Sequence, residues 1–212
     1  MEQGSAEWFA ERLGKATGSR IKDATAKGKP KADGTATEAA IRAGYKAELV
    51  LERVTGLSQA KDLSSIPHIA WGKEKEAYAC LAYEAFSGDF VAPVGFVDHP
   101  RILMSGASPD GLLDDGAGVL EIKAPNSSTH YEYLRNNAVP ATYKKQILWQ
   151  IACTQREYGI FVSYDPRLEP KDQLLVVRWV PEKKEILALE GEVEKFLEEV
   201  AADELWLRNR AA

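Results

Sequence analysis

Apolar positions recur at helical spacing toward both ends of the chain and alternate at strand spacing through its middle. Glu7 to Arg12 predicts the opening of a short helix, and Lys15-Ala16-Thr17-Gly18-Ser19 a turn leading into another. Ala24 to Thr35 holds Gly28, Pro30 and Gly34 among alternating lysines and predicts a loop. Thr35 and Glu38 have capping-box spacing for a helix running to about Thr55, which Gly56 would close. After a loop through Pro67, Trp71-Gly72 introduces a helix from about Lys73 to Phe86, with Gly88 as its stop. The period then changes. Phe90 to Val97, Arg101 to Ala107 and Gly118 to Ala124 predict strands, the first two joined around Asp98-His99-Pro100. Pro140 and Ala141 open a helix that carries Tyr143, Ile147 and Ile151 to about Thr154, and Tyr158–Tyr164 and Gln173–Val180 predict two more strands. Ile186, Leu189, Val193, Phe196, Leu197 and Val200 fall on one helical face and predict a core-facing stripe. This order gives an α/β or α+β architecture, a central mixed sheet flanked by helices. It predicts one domain over residues 1–212, with a helical, basic region over about residues 1–60 integral to it.

Composition narrows the class. Apolar content of 45% and charged content of 28% are those of a soluble globular protein. No apolar run approaches the roughly 20 residues that span a bilayer, and the opening Met-Glu-Gln-Gly-Ser-Ala-Glu lacks the basic and apolar regions of a signal peptide. Cys80 and Cys153 alone make neither a disulfide framework nor a four-cysteine zinc or iron–sulfur site, so a cytoplasmic location is expected. The net charge of −5 is unevenly placed. Arg12, Lys15, Arg20, Lys22, Lys27, Lys29 and Lys31 crowd a stretch whose one acid is Asp23, while Glu182 to Glu204 is rich in glutamate. Exposed charges are screened beyond roughly 8–10 Å, so a basic surface on an acidic body can still follow a phosphate backbone. A solvated lysine-rich loop has the same composition, and net charge does not decide between them.

The chemistry concentrates in Ser108-Pro109-Asp110-Gly111 and, beyond it, Glu121-Ile122-Lys123. Side chains alternate along a strand, so Glu121 and Lys123 point one way and Ile122 the other, into the core. Ser108 to Gly116 has the composition of a tight hairpin, which would return Asp110 beside the Glu121 strand. Asp110, Glu121 and the main-chain carbonyl of Ile122 would then offer hard oxygens suited to Mg2+ or Mn2+, with Lys123 beside a scissile phosphate. Glu76 lies on a helix upstream of the sheet, and Gln146 and Gln150 share a helix face one turn apart. Taken singly these residues have ordinary readings. Glu76 is a solvated helix residue, the glutamines a polar stripe, Arg12 a surface arginine pairing with Glu7 or Glu11, and Ile69 a core residue beside Trp71.

In their order along the chain these elements resemble the phage lambda exonuclease and YqaJ-type viral recombinase family of the PD-(D/E)xK nuclease superfamily. The resemblance is carried by Arg12-Leu13-Gly14 with Thr17 and Ser19, Trp71-Gly72-Lys73-x-x-Glu76, Ser108-Pro109-Asp110-Gly111, Glu121-x-Lys123 with the glutamine helix, and Tyr164-Asp165-Pro166-Arg167. It implies a restriction-endonuclease-like core and a Mg2+-dependent 5′-to-3′ exonuclease that degrades one strand of linear double-stranded DNA. Mn2+ is a possible substitute, and two ions are implied. It also implies a homotrimeric ring, double-stranded DNA ends as substrate, 3′ tails passed to a single-strand annealing protein, and a bacterial or prophage setting. Asp110 and Glu121 correspond to metal ligands, Lys123 to the catalytic lysine, and Glu76 and Gln146 to supporting residues. Arg12, Ser19 and Ser108, with Thr17 beside them, match the positions that hold the terminal 5′-phosphate. Ile69 matches an apolar wedge at the duplex end, and Asp98 the upstream acid, across a loop longer than in the phage enzyme. The alternatives are another endonuclease or repair nuclease of the superfamily, or a non-catalytic DNA-end-binding protein.

Overall fold

The computed structural model describes residues 2–31, 35, 37–59 and 67–210, with backbone alone for residues 67–70 and Lys73. Ser5 caps α1 (Ala6–Arg12) by accepting a hydrogen bond from the Trp8 amide, and Gly14 at φ 69° turns the chain away. β1 (Ala16–Thr17), a turn of 3-10 helix over Gly18–Arg20 and α2 (Ile21–Ala24) follow. α3 (Ala40–Thr55) starts later than the Thr35/Glu38 capping box predicts, and its N-cap, Ala39, makes no side-chain bond. Glu38 is instead drawn into an antiparallel bridge with Lys27 while its carboxylate meets Arg42, which keeps it extended. Gly56 at φ 70° closes the helix as expected.

α4 (Pro67–Ser87) begins six residues before the predicted Lys73. Proline has no amide to lose at the first helical position and its φ suits a helix, so Pro67 opens the element rather than ending the loop. The two long strands predicted next are shorter. β2 (Val91–Ala92) stops at Pro93, and β3 (Val97–Asp98) leads into β4 (Ser105–Ala107). Between them His99 Nδ1 accepts from the amides of Arg101 and Ile102, and Met104 takes φ 57°, so Arg101 to Met104 coils instead of pairing. The expected hairpin forms, with its turn at Asp114–Gly116 between β5 (Gly111–Leu113) and β6 (Gly118–Lys123). The crossover to β7 (Tyr158–Tyr164) holds α5 (Ser127–Asn136), which hydrophobic spacing does not reveal and Asn126 caps, and α6 (Ala141–Thr154). β8 (Leu174–Trp179) and α7 (Lys183–Arg208) complete the described chain.

The strands form two sheets, not a single central one. A five-stranded sheet runs β2-β5-β6-β7-β8 with only β6 and β7 parallel, and a three-stranded sheet runs β1-β4-β3. β6 and β7 are covered on both faces, so both read as nearly continuous buried runs. Leu120 and Ile122 pack with Ala79 and Tyr83 of α4, whereas Val119 packs with Ile147 and Ile151 of α6. A third core joins Tyr45, Trp149 and Phe196 where α3, α6 and α7 meet. Among the described residues no helix is long and apolar enough to cross a membrane.

Close contact of α6 with β7 depends on Gly159, where an added Cβ would stand 2.2 Å from Ile147 Cγ2. Gly159→Ala should therefore lower stability by about 1–3 kcal/mol, through overpacking. Urea unfolding should show a lower midpoint with an unchanged slope.

Candidate active site

The alternation along β6 puts Glu121 on the face that α6 covers. Its side chain is fully buried, and a carboxylate there must be satisfied by donors. Gln146 Nε2 donates to Oε1 at 2.6 Å and Gln150 Nε2 to Oε2 at 2.5 Å. One helical turn separates the two amides, so a single helix face presents both to one carboxylate. Lys123 Nζ, two residues along the same strand face, forms an ion pair with Glu121 and lies 5.3 Å from the Tyr143 ring centroid. Burial pulls the Lys123 ammonium down, but the carboxylates of Glu121 and Asp110 outweigh it and the net shift is upward.

Asp110 follows β4 and precedes β5, where strand pairing with β6 runs out. Its amide donates to Leu120 O at 3.0 Å, and its Oδ2 accepts from the Ile122 amide at 2.5 Å. The side chain thereby takes the place of the missing strand partner. Burial pushes its carboxyl well above the ordinary range, Glu121 and Glu76 push the same way, and Lys123 opposes them. Glu76, Asp110 and Ile122 line one cavity of about 650 Å³, shared with Trp8 and Cys80. Three carboxylates thus act together here, with the Lys123 ammonium opposing the other two at Asp110. Among the described residues no three acidic, histidine or cysteine side chains converge as a cage. Two carboxylates, with main-chain oxygen and water to complete the shell, suit an ion that keeps part of its hydration, as Mg2+ does.

The third acid expected from sequence is elsewhere. Asp98 sits exposed on β3, in the three-stranded sheet, and pairs with Lys15 at 2.7 Å. The carboxylates that act on Asp110 are those of Glu121 and Glu76, so Glu76 occupies the place in this group that Asp98 was expected to share.

A second cavity, of about 200 Å³, is lined by Arg12, Lys15, Thr17, Ser19 and Arg20. Arg20 is engaged by Asp23 and Glu48, and Lys15 by Glu11 and Asp98. Arg12 forms no ion pair among the described residues, neither with Glu7 nor with Glu11. Its guanidinium lies 3.9 Å over the Trp8 ring, and burial draws its pKa down. Ser108 does not line this cavity but joins it indirectly, since its Oγ accepts from Trp8 Nε1 at 2.9 Å. Phe9 lines both cavities, so the basic pocket and the acidic one adjoin. Ile69 lies in the first turn of α4, and its side chain is outside the described residues.

Two participants, Trp8 and Tyr143, were not singled out from sequence, and Gln150 was named with Gln146 but given no role of its own. Trp8 links Arg12 to Ser108, Tyr143 flanks Lys123, and Gln150 matches Gln146 as a clamp on Glu121. The four-residue spacing from Trp8 to Arg12 was the available signal for the first, because it stacks the pair on one helix face. The Tyr164-Asp165-Pro166-Arg167 segment proves to be a brace. Buried Asp165 binds Arg167 at 2.6 Å, Arg167 donates to Pro125 O at 3.0 Å, and its guanidinium lies 4.8 Å from the Trp71 ring centroid. The ends of β6, β7 and α4 are thereby tied together around Lys123.

Residues 7–157 match the YqaJ-like viral recombinase domain. Among curated proteins no sequence matches the chain significantly. Among solved structures, the alkaline exonuclease LHK-Exo from Laribacter hongkongensis is 38% identical, with 97% of each chain covered and a TM-score of 0.85. The structure of LHK-Exo in complex with dAMP gives the same identity and coverage with a TM-score of 0.86. A phage-related exonuclease from Haemophilus somnus 129PT, at 11% identity, shares the fold with a TM-score of 0.68, over 93% of this chain and 96% of its own.

The raised Asp110 carboxyl has a thermodynamic consequence. A carboxyl whose native pKa exceeds its unfolded value of 3.8 stabilises the fold below that value, and the contribution is lost as pH rises through the native pKa. At neutral pH without divalent metal, Asp110→Asn should therefore raise the melting temperature, by about 2–4 °C for each kcal/mol relieved. Added Mg2+ should raise that of the unmutated protein and leave the variant unchanged, as read by thermal melts with and without EDTA.

Proposed function

Because the chain belongs to the YqaJ-like viral recombinase family, we propose that it is a metal-dependent DNA exonuclease that removes nucleotides from the 5′ end of one strand of linear duplex. The observation that carries this reading is the clamped Glu121 carboxylate acting on Asp110, in a cavity next to an Arg12 that forms no ion pair among the described residues. Asp110, Glu121 and the Ile122 carbonyl would hold the ion, Mg2+ with Mn2+ as the substitute, with two ions in the site. Bound there, a divalent cation supplies the charge that polarises the scissile phosphate and activates water near neutral pH. Gln146 and Gln150 hold Glu121 in one orientation, because both donate to its oxygens. Glu76 adds negative charge at the far wall of the cavity. Lys123, held as an ammonium by its carboxylate neighbours, is suited to neutralise charge on the phosphoryl oxygens rather than to take a proton from water.

Direction follows from the neighbouring pocket. Arg12 can make two parallel bonds to a terminal phosphate, with Ser19 and Thr17 supplying hydroxyls around it and Ser108 positioning Trp8, on which the guanidinium stacks. A phosphate seated there sets the cleavage register one nucleotide inward. LHK-Exo has been crystallised with dAMP, a nucleoside monophosphate of the kind such excision releases. Ile69 as a wedge between terminal bases, a homotrimeric ring and transfer of the 3′ tail to an annealing protein in the cytoplasm belong to the same proposal.

The test is digestion of linear duplex labelled at either end, with and without 5′-phosphate and Mg2+, beside closed circular DNA. Mononucleotides should leave from 5′-phosphorylated ends only, the circle should be spared, and Asp110→Ala should abolish release. Arg12→Ala should lose about 10–100-fold in its preference for phosphate over hydroxyl ends, the worth of a charge-assisted contact. Equal rates of the unmutated protein on both kinds of end would refute the pocket, and degradation of the circle would refute the exonuclease reading.

A further inference from the structure

α1 gives no residue to the core, although two of its seven residues are Trp8 and Phe9. Phe9 is 61% exposed. A single exposed phenylalanine is ordinary on any protein surface, and its position is what distinguishes this one. It forms part of the wall of the basic cavity that holds Arg12 and Ser19 and of the acidic cavity that holds Asp110 and Glu76. A nucleotide with its 5′-phosphate in the first and its 3′ phosphodiester in the second must carry its sugar and base past this ring.

The ring is also held. Its centroid is 5.0 Å from that of Trp8 with the planes at 76°, an edge-on contact. Trp8 is in turn fixed by its hydrogen bond to Ser108 and by the Arg12 guanidinium stacked on it. Phe9 thus rests its edge against the groups assigned to the terminal phosphate, while most of its surface stays open to a planar partner. Every nucleobase offers a π-face, so stacking discriminates little among sequences. That tolerance suits an enzyme that must remove whichever nucleotide comes next.

We infer that Phe9 is the stacking platform for the base of the 5′-terminal nucleotide. The inference rests on the exonuclease reading above and adds to it the contact that holds the nucleoside being released. Phosphate recognition by Arg12 and base stacking on Phe9 would then fix the terminal nucleotide at two separated points, which is what aligns its 3′ bond with Asp110 and Glu121.

Phe9→Ala and Phe9→Tyr would be compared with the unmutated protein by single-turnover release of the first nucleotide at subsaturating enzyme. The duplex end would carry a 5′-phosphate on either a normal or an abasic terminal nucleotide. Phe9→Ala should slow release from the normal end at least roughly fivefold, the lower bound for loss of one stacked base, while Phe9→Tyr stays near the unmutated rate. On the abasic end the three proteins should coincide. A slowing of Phe9→Ala that is equal on both ends, or none on either, overturns the platform. A second readout needs no turnover: a fluorescent 2-aminopurine at the 5′ terminus, bound in EDTA, should be quenched by the unmutated protein and not by Phe9→Ala. Quenching that survives in Phe9→Ala likewise overturns the platform. If the unmutated protein releases no nucleotide from any end, the exonuclease reading falls, an outcome separate from a failure of Phe9 alone.

Discussion

A fully buried carboxylate in the middle of the sheet organises this molecule. Glu121 lies on the strand face packed against α6, where a methyl group would be the ordinary occupant, and its charge is accommodated because three donors converge on it. Two come from Gln146 and Gln150, one helical turn apart, so α6 must keep both its rotation and its distance from β6. Gly159 permits that distance, and the Ile147 and Ile151 contacts fix the rotation. Loss of any one donor would leave an ion in a medium that solvates it poorly. Packing and polar satisfaction therefore impose the same geometry on the helix.

The rest of the site grows outward from that point. β5 begins two residues too late to pair with Ile122, and the Asp110 carboxylate fills the gap by accepting the Ile122 amide. Two acids thereby come together where the β5 pairing gives out, with the Lys123 ammonium acting on both, and Glu76 adds a third carboxylate from α4. This gathering of carboxylates is the electrostatic argument for a divalent ion. On the other side of Phe9, Arg12 stacks on Trp8 while the neighbouring basic groups Lys15 and Arg20 are already paired with acids. One cavity gathers carboxylates, and its neighbour holds an arginine that forms no ion pair among the described residues. A phosphodiester chain with metal ions complements both at once.

Much of this was legible in one dimension. Hydrophobic period placed β7 and α6 with little error and found the core stripe of α7, because burial on one face imposes its period directly on the residues. Asp110, Glu121 and Lys123 could be singled out because alternate strand positions share a face and a tight hairpin returns its flank to that strand. Elements with weak periodicity were lost: α5 is short and polar, and Arg101 to Met104 has strand composition but yields its amides to His99. The Thr35/Glu38 capping box failed for a related reason, since a bridge to Lys27 and an ion pair to Arg42 recruited Glu38 first.

The sequence by itself determined which ionisable and amide groups are available and which strand faces they share, since spacing alone dictates face. Only the tertiary structure decided which of them meet. Asp98 and Asp110 are the same residue type, each near a predicted strand. The register that sets Asp98 opposite Gly106 sends it to the three-stranded sheet and Lys15, whereas Asp110 lands at the open end of β6. Trp8 and Ser108 meet across 100 positions, and Glu121 and Gln146 across 25. Such pairings depend on which distant surfaces exclude water together, a property of the packed chain that no local spacing encodes.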